Sequence, residues 1–278
     1  MPYTAEISRA NPSCFLFLID QSGSMSDPLG GGTGKHKADG VADAINRLLQ
    51  NLIIKCAKSE GVRDYYEVGV IGYGSNVGPA FSGALAGRSL VPISEVEKSP
   101  ARIEERTRKA DDGAGGLVDQ TVKFPVWFEP VANGGTPMCE ALRDAYQLMQ
   151  DWVSRRQSSY PPIVINITDG EATDGDPTQQ AQAIASLSTT DGNALVFNCH
   201  ISSHAASPIV FPDSEAGLPD EYARMLFRMS SVLPDKFRET ARSEGFIIGS
   251  QARGFAFNAD LVELIRFLDI GTRPSNLR

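Results

Sequence analysis

Five oxygen-bearing side chains, at three separated places in the chain, have the types and spacing to do chemistry together. The run Asp20-Gln21-Ser22-Gly23-Ser24 sets a carboxylate and two hydroxyls at alternate positions, so an extended loop turns all three the same way. A second carboxylate, Asp169, lies between Thr168 and Gly170, and a further hydroxyl comes from Thr136 within Gly134-Gly135-Thr136-Pro137. Two carboxylates and three hydroxyls form an all-oxygen set suited to a hard divalent cation, with no nitrogen or sulfur to favour zinc or copper.

Those stretches can meet only if the fold gathers three loops at one place, and open α/β sheets do this at the carboxyl ends of their strands. Ser13 to Ile19 is a near-continuous apolar run ending at Asp20, as a strand buried on both faces requires. Pro162 to Thr168 is another, ending at Asp169. Further strands are expected at Glu67 to Tyr73, Ala194 to Ile201 and Gly254 to Phe257, with Val77 to Phe81 turning back as an antiparallel edge and Phe124 to Val131 extended. Between them, Val41, Ile45, Leu48, Leu52 and Cys56 line one helical face from about Lys37 to Ser59, and Met138, Leu142, Ala145, Met149 and Trp152 line another. Helices are also expected near Pro177 to Leu187, Asp220 to Ser230, Pro234 to Glu244 and Ala259 to Leu268, with a loop from Pro208 to Pro219. The class is α/β: a mainly parallel central sheet with one antiparallel edge strand and helices on both faces. Residues 82 to 123, charge-dense and helix-compatible around Ser94 to Lys109 and followed by Asp111-Asp112-Gly113-Ala114-Gly115-Gly116, are expected as a surface insertion in a single domain spanning 1 to 278, its core about 13 to 268.

The order and topological place of Asp20-x-Ser22-x-Ser24, Thr136 and Asp169 resemble the metal-ion-dependent adhesion site of von Willebrand factor A domains, and the likeness runs from about Cys14 to Leu268. The resemblance implies a Rossmann-like fold and a magnesium ion, with manganese or calcium as alternatives. It implies direct ligation by Ser22 and Ser24, ligation by Thr136 directly or through water, and ligation by Asp20 and Asp169 largely through water. It also implies a protein partner whose Asp or Glu completes the coordination, and a last helix whose movement can follow the metal. The chain looks most like stand-alone bacterial members, including those associated with tellurite resistance and with kinase and phosphatase neighbours. A non-enzymatic adaptor in a bacterial stress, signalling or defence system is the expectation that follows. A metal-assisted phosphatase or hydrolase, with Asp169, Asp174 or Glu171 as base, and a subunit docking onto a ring ATPase are the alternatives.

Several features have plainer readings. Thr136-Pro137 is also an ordinary helix start, with Thr as N-cap and Pro at the first helical position. Glu171, Asp174 and Asp176 could hint at a calcium loop, but Gly175 misses the sixth position that such a turn needs, and Asp176 before Pro177 reads as an N-cap. Gly30-Gly31-Gly32-Thr33-Gly34-Lys35 lacks the first Gly and the final Ser or Thr of a phosphate loop, since Leu29 and His36 stand there. His200 and His204 read as a partly buried and a surface histidine before a metal pair, Glu104 to Asp112 as a solvated helix face, and no Gly-x-Ser-x-Gly elbow occurs.

The 26 basic and 34 acidic side chains of the 278 residues leave a net charge of -8, which sets nucleic acid aside as a main partner. The apolar run Cys14 to Ile19 is far short of the roughly 20 residues that span a bilayer, and a cytoplasmic location is expected. Cys14, Cys56, Cys139 and Cys199 are too dispersed for a zinc or disulfide framework and read as reduced, buried thiols.

Overall fold

A computed structural model describes residues 3–30, 34–111, 116–201 and 207–272. In chain order the elements are β1 (Ser13–Asp20), α1 (Lys37–Cys56), the small ladder β2 (Ala57–Lys58) and β3 (Gly61–Val62), β4 (Tyr66–Tyr73), β5 (Val77–Pro79), β6 (Val91–Pro92) and α2 (Ile93–Lys98). There follow β7 (Arg102–Asp111), β8 (Leu117–Val126), α3 (Met138–Arg155), β9 (Ile163–Thr168), α4 (Thr178–Ser186), and a second small ladder, β10 (Ser188–Thr189) with β11 (Gly192–Asn193). The last are β12 (Leu195–Ile201), β13 (Ile209–Val210), α5 (Glu221–Met229), α6 (Asp235–Ser243), β14 (Phe255–Ala259) and α7 (Leu261–Gly271).

The central sheet runs β13-β14-β12-β9-β1-β4-β5, with β6 also pairing β4. Its five inner strands, from β14 to β4, are parallel. The expected antiparallel edge is β5, and the two-residue β13 adds an antiparallel strand on the opposite side, inside the stretch read as loop from Pro208 to Pro219. After β1 the chain moves to β4 on one flank, then returns to place β9, β12 and β14 successively on the other. The order therefore reverses between β1 and β9, and in open parallel sheets this is where strand-end loops part to leave a crevice.

Alternation along β1 assigns the two faces. Phe15, Phe17 and Ile19 pack with Val41, Ile45 and Leu52 of α1, Phe237 of α6 and Leu264 and Phe267 of α7. Cys14, Leu16 and Leu18 pack with Leu142, Met149 and Trp152 of α3, Ile184 of α4 and Leu226 of α5. The periodic apolar faces expected of α1 and α3 are buried at every position named for them. All four cysteines are free and buried. Among the described residues no helix is long and apolar enough to cross a membrane.

The insertion departs from expectation. Only Ile93–Lys98 of the helix-compatible stretch is helical, ending before Ser99-Pro100, where a proline restricts the preceding residue. Glu104 to Asp111, read as a helix face, belongs instead to β7, which pairs with β8 over ten residues in an antiparallel ladder separate from the central sheet. Cross-strand chemistry outweighs the helical propensity of Glu, Arg and Lys: Thr107 faces Thr121, Glu105 faces Lys123, and Lys109 faces Asp119 with a 2.6 Å ion pair. Arg106 anchors the ladder to α1 through Asp43 at 2.8 Å and lies 3.6 Å over the Phe124 ring. At the base, Asn46 of α1 accepts from Trp127 N and Phe128 N and donates to Phe128 O. Residues 112 to 115 of the glycine-rich run lie outside the described residues.

Candidate metal centre

Asp20 closes β1 with its side chain fully buried. One carboxylate oxygen accepts from Ser22 N at 2.8 Å, a local bond that turns the chain out of the strand. The other accepts from Thr168 Oγ1 at 2.8 Å, linking the end of β1 to the end of the neighbouring β9. Burial pushes the Asp20 carboxyl up to about 6, against the lowering effect of hydrogen bonds from Ser22 and Thr168, and the nearby Asp169 raises it further. Beyond Asp20 the loop tightens into a 3-10 turn over Gly23–Ser26, which sets Ser22 Oγ and Ser24 Oγ 3.1 Å apart. Ser24 Oγ donates to Asp169 Oδ1 at 2.8 Å. Asp20, Ser22, Ser24 and Asp169 thus form a chain of direct hydrogen bonds across the switch point.

Thr136 is brought alongside by its backbone. Gly23 N donates to Gly134 O at 3.0 Å, and Asn133 N donates to Gln21 O at 2.6 Å, so the third loop is bonded to the first. Gly134 has φ +91, and a Cβ there would lie 2.4 Å from Ser75 N, so the close approach of this loop to the turn between β4 and β5 requires glycine. On the other side Thr136 N donates to Thr173 Oγ1 at 3.0 Å, and Thr173 N donates to Thr136 O at 2.9 Å. Thr136 itself is buried, but it is not the N-cap of α3. Asp174 does that work from another loop, its two carboxylate oxygens accepting from Cys139 N at 3.0 Å and Glu140 N at 2.9 Å. Asp174, considered from sequence as a cation ligand or a base, is therefore occupied in holding the Thr136 loop and α3 against the β9 loop. Asp176 accepts from Thr178 N at 2.9 Å from one residue before Pro177, which takes the N-cap position of α4 expected of Asp176.

Sequence reasoning missed Lys37. As the first residue of α1 it is 5% exposed, and its ammonium donates to Asp169 Oδ2 at 2.8 Å. Both oxygens of Asp169 are thus engaged, one by a hydroxyl and one by a cation. The available signal was a lysine at a helix start, where positive charge opposes the macrodipole and breaks a local preference.

Chemically the cluster is a set of oxygens with little intrinsic affinity for soft metals. Among the described residues no group of three or more His, Cys, Asp or Glu side chains is placed to hold an ion, so any cation here would depend on the hydroxyls. The 3.1 Å separation of Ser22 Oγ and Ser24 Oγ is close to the ~3 Å edge of an octahedron built on magnesium–oxygen bonds of about 2.1 Å. Beside the cluster a groove of about 520 Å³ is lined by Glu171, Asp176, Glu221 and Tyr222, and the Tyr222 hydroxyl donates to Gly170 O.

The remaining candidates fall elsewhere. His200 stacks on Phe257 with ring centroids 4.6 Å apart and accepts from Asn258 N, a structural role; His204 lies outside the described residues. In the glycine-rich run, residues 31 to 33 lie outside the described residues, and Lys35 pairs with Asp43 rather than turning into a phosphate cradle.

No protein-family profile and no curated protein matches the chain. Solved structures similar to it include the pilus adhesin SpaC from Lactobacillus rhamnosus GG, at 14% identity over 97% of this chain and 32% of that one, TM-score 0.49. Proximal thread matrix protein 1 from the mussel byssus is similar at 13% identity over 96% of this chain and 48% of that one, TM-score 0.48. The vWF domain of the type V pili tip protein Mfa5 from Porphyromonas gingivalis is similar at 16% identity over 58% of this chain and 39% of that one, TM-score 0.32. The chain therefore spans between about a third and a half of these proteins.

Proposed function

We propose that this chain is a von Willebrand factor A-like binding module whose Asp20, Ser22, Ser24, Thr136 and Asp169 hold a magnesium ion, with manganese and calcium as substitutes, and that the ion recruits an Asp or Glu of a partner protein. The observation that carries this reading is the meeting of Asp20, Ser22, Ser24 and Asp169 in one hydrogen-bonded chain at the sheet's switch point, with the Thr136 loop bonded beside it. A bound ion supplies Lewis acidity toward an incoming carboxylate. The chain's own part would be to hold the Ser22 and Ser24 hydroxyls 3.1 Å apart, keep Asp20 buried and bonded to Thr168, and fix the Thr136 loop between the first loop and the loop after β9. Two hydroxyls without charge leave the ion short of negative charge, which favours capture of a guest over storage of the ion.

The non-enzymatic reading is supported by Asp174, whose carboxylate is committed to α3 amides and is not free to act as a base. Four buried, unpaired thiols fit a reducing, cytoplasmic setting. Bacterial kinase, phosphatase or ring-ATPase systems are the partners toward which this proposal points.

The test is capture of bound protein by the purified chain in Mg²⁺ and in chelator, with a Ser22→Ala/Ser24→Ala variant. Capture should fall at least about tenfold in chelator and in the variant, which should remain folded by circular dichroism although it loses the Ser22–Ser24 and Ser24–Asp169 hydrogen bonds. Capture indifferent to both changes contradicts the proposal. Magnesium-dependent phosphoester turnover abolished by Asp169→Ala would replace it with the hydrolase reading.

A further inference from the structure

Lys37 is held in the cluster against several opposing terms. Its side chain is 7% exposed, that of Asp169 is 0% exposed, and the other nearby carboxylate, Asp27 at 3.7 Å, is 57% exposed and so contributes little through solvent. Fixing a long side chain there sacrifices rotamer freedom and hydration. The twenty-residue α1 also presents the positive end of its macrodipole at this point. The confinement is built by the backbone. Lys37 N donates to Asp27 O at 2.9 Å and Leu29 N donates to Lys35 O at 2.8 Å, so the loop before α1 closes on itself and aims its first residue at the end of β9.

Resting on the cation-site reading, we propose that Lys37 is a resident counter-cation that weakens the divalent ion when it binds alone and makes its retention depend on a guest carboxylate. Asp20 and Asp169 bring two negative charges, and Lys37 cancels one. An added divalent ion gives the cluster a formal charge of plus one with the lysine and zero without it. That surplus repels the ion and attracts an anionic guest, so ion and guest each strengthen the other's binding. Before the ion arrives, the same ammonium keeps Asp169 from being a buried carboxylate without a counter-charge and so preserves the geometry of the loops.

The experiment titrates Mn²⁺ alone, followed by its paramagnetic resonance signal and by calorimetry, into the full chain, into Lys37→Met and Lys37→Arg, and into a Ser22→Ala/Ser24→Ala control. Each titration is repeated in excess acetate as the guest carboxylate. Lys37→Met should bind Mn²⁺ at least about tenfold more tightly than the parent and lose most of the tightening that acetate gives the parent. Lys37→Arg, which keeps the charge, should stay within about threefold of the parent. Should Lys37→Met be unfolded without metal, its folding is scored at saturating Mn²⁺: recovery supports the proposal, because the ion then replaces the ammonium, and persistent unfolding overturns it. Equal Mn²⁺ affinity in the parent and Lys37→Met, with binding lost in the serine control, overturns the role of Lys37 and leaves the cation site standing. No Mn²⁺ binding by the parent, or equal binding by the serine control, removes the site and this proposal with it.

Discussion

Asp20 carries its charge in a place that penalises it, and replacing it with asparagine tests how the site is built. Burial lifts its carboxyl from the usual 3.8 to about 6. The folded carboxyl therefore keeps its proton to higher pH than the unfolded one, and stability declines as pH rises through the window from 3.8 to about 6. Above that window the cost of ionised Asp20 is about 3 kcal/mol. Asp20→Asn removes the charge yet keeps an oxygen to accept from Ser22 N, and its amide nitrogen meets Thr168 Oγ1, a hydroxyl that can accept as well as donate. In chelator near pH 8 the variant should exceed the parent by about 2–3 kcal/mol in urea unfolding, and by roughly 5–10 °C in melting temperature followed by circular dichroism. The advantage should shrink toward zero near pH 4, where both side chains are neutral. Added Mg²⁺ should raise the melting temperature of the parent and leave the variant where it was. A variant less stable than its parent at pH 8 in chelator, or a difference that does not change with pH, would refute the claim that burial dominates at Asp20.

Two further substitutions probe the supports. Asp174→Ala strips the acceptor from Cys139 N and Glu140 N and should cost about 2 kcal/mol by calorimetry, with Asp174→Asn near half of that; because Thr173 and Asp174 also hold the Thr136 loop, Mn²⁺ affinity should fall in parallel. A full loss of stability in Asp174→Asn would instead point to its charge acting elsewhere. Asn46→Ala leaves Trp127 N, Phe128 N and Phe128 O without partners inside the protein and should cost about 3 kcal/mol in urea unfolding. A cost below about 1 kcal/mol would mean that the base of the β7-β8 ladder is held by other contacts.

The parts of this molecule that could be read from sequence are those whose cause is local. The apolar runs before Asp20 and Asp169 specify strands buried on both faces, and the two prove to be neighbours in register, Phe15 beside Ile163. The helical period of Met138 to Trp152 is likewise a property of the chain over a few residues, whereas Ser24 meets Ser22 through the 3-10 turn over Gly23–Ser26 and not through the expected extended alternation. The misreadings have distant causes. Arg102 to Asp111 has a helix-forming composition, and its strand conformation is decided by a partner strand and by Asp43 of α1. Asp174, one of the alternative bases, has its oxygens taken by amides of a helix more than thirty residues earlier. Lys37 belongs to no motif, and only the placement of β9 beside β1 brings Asp169 within 2.8 Å of it.

We propose that Ser22, Ser24 and Thr136, with Asp20 and Asp169 behind them, hold a divalent cation. A crystal grown in Mn²⁺ and measured at the manganese absorption edge tests it most directly. One strong anomalous peak is expected among these five side chains, with both serine hydroxyls in direct contact and an open position facing solvent. An anomalous map without a peak there, at manganese concentrations that saturate known sites of this kind, would contradict it.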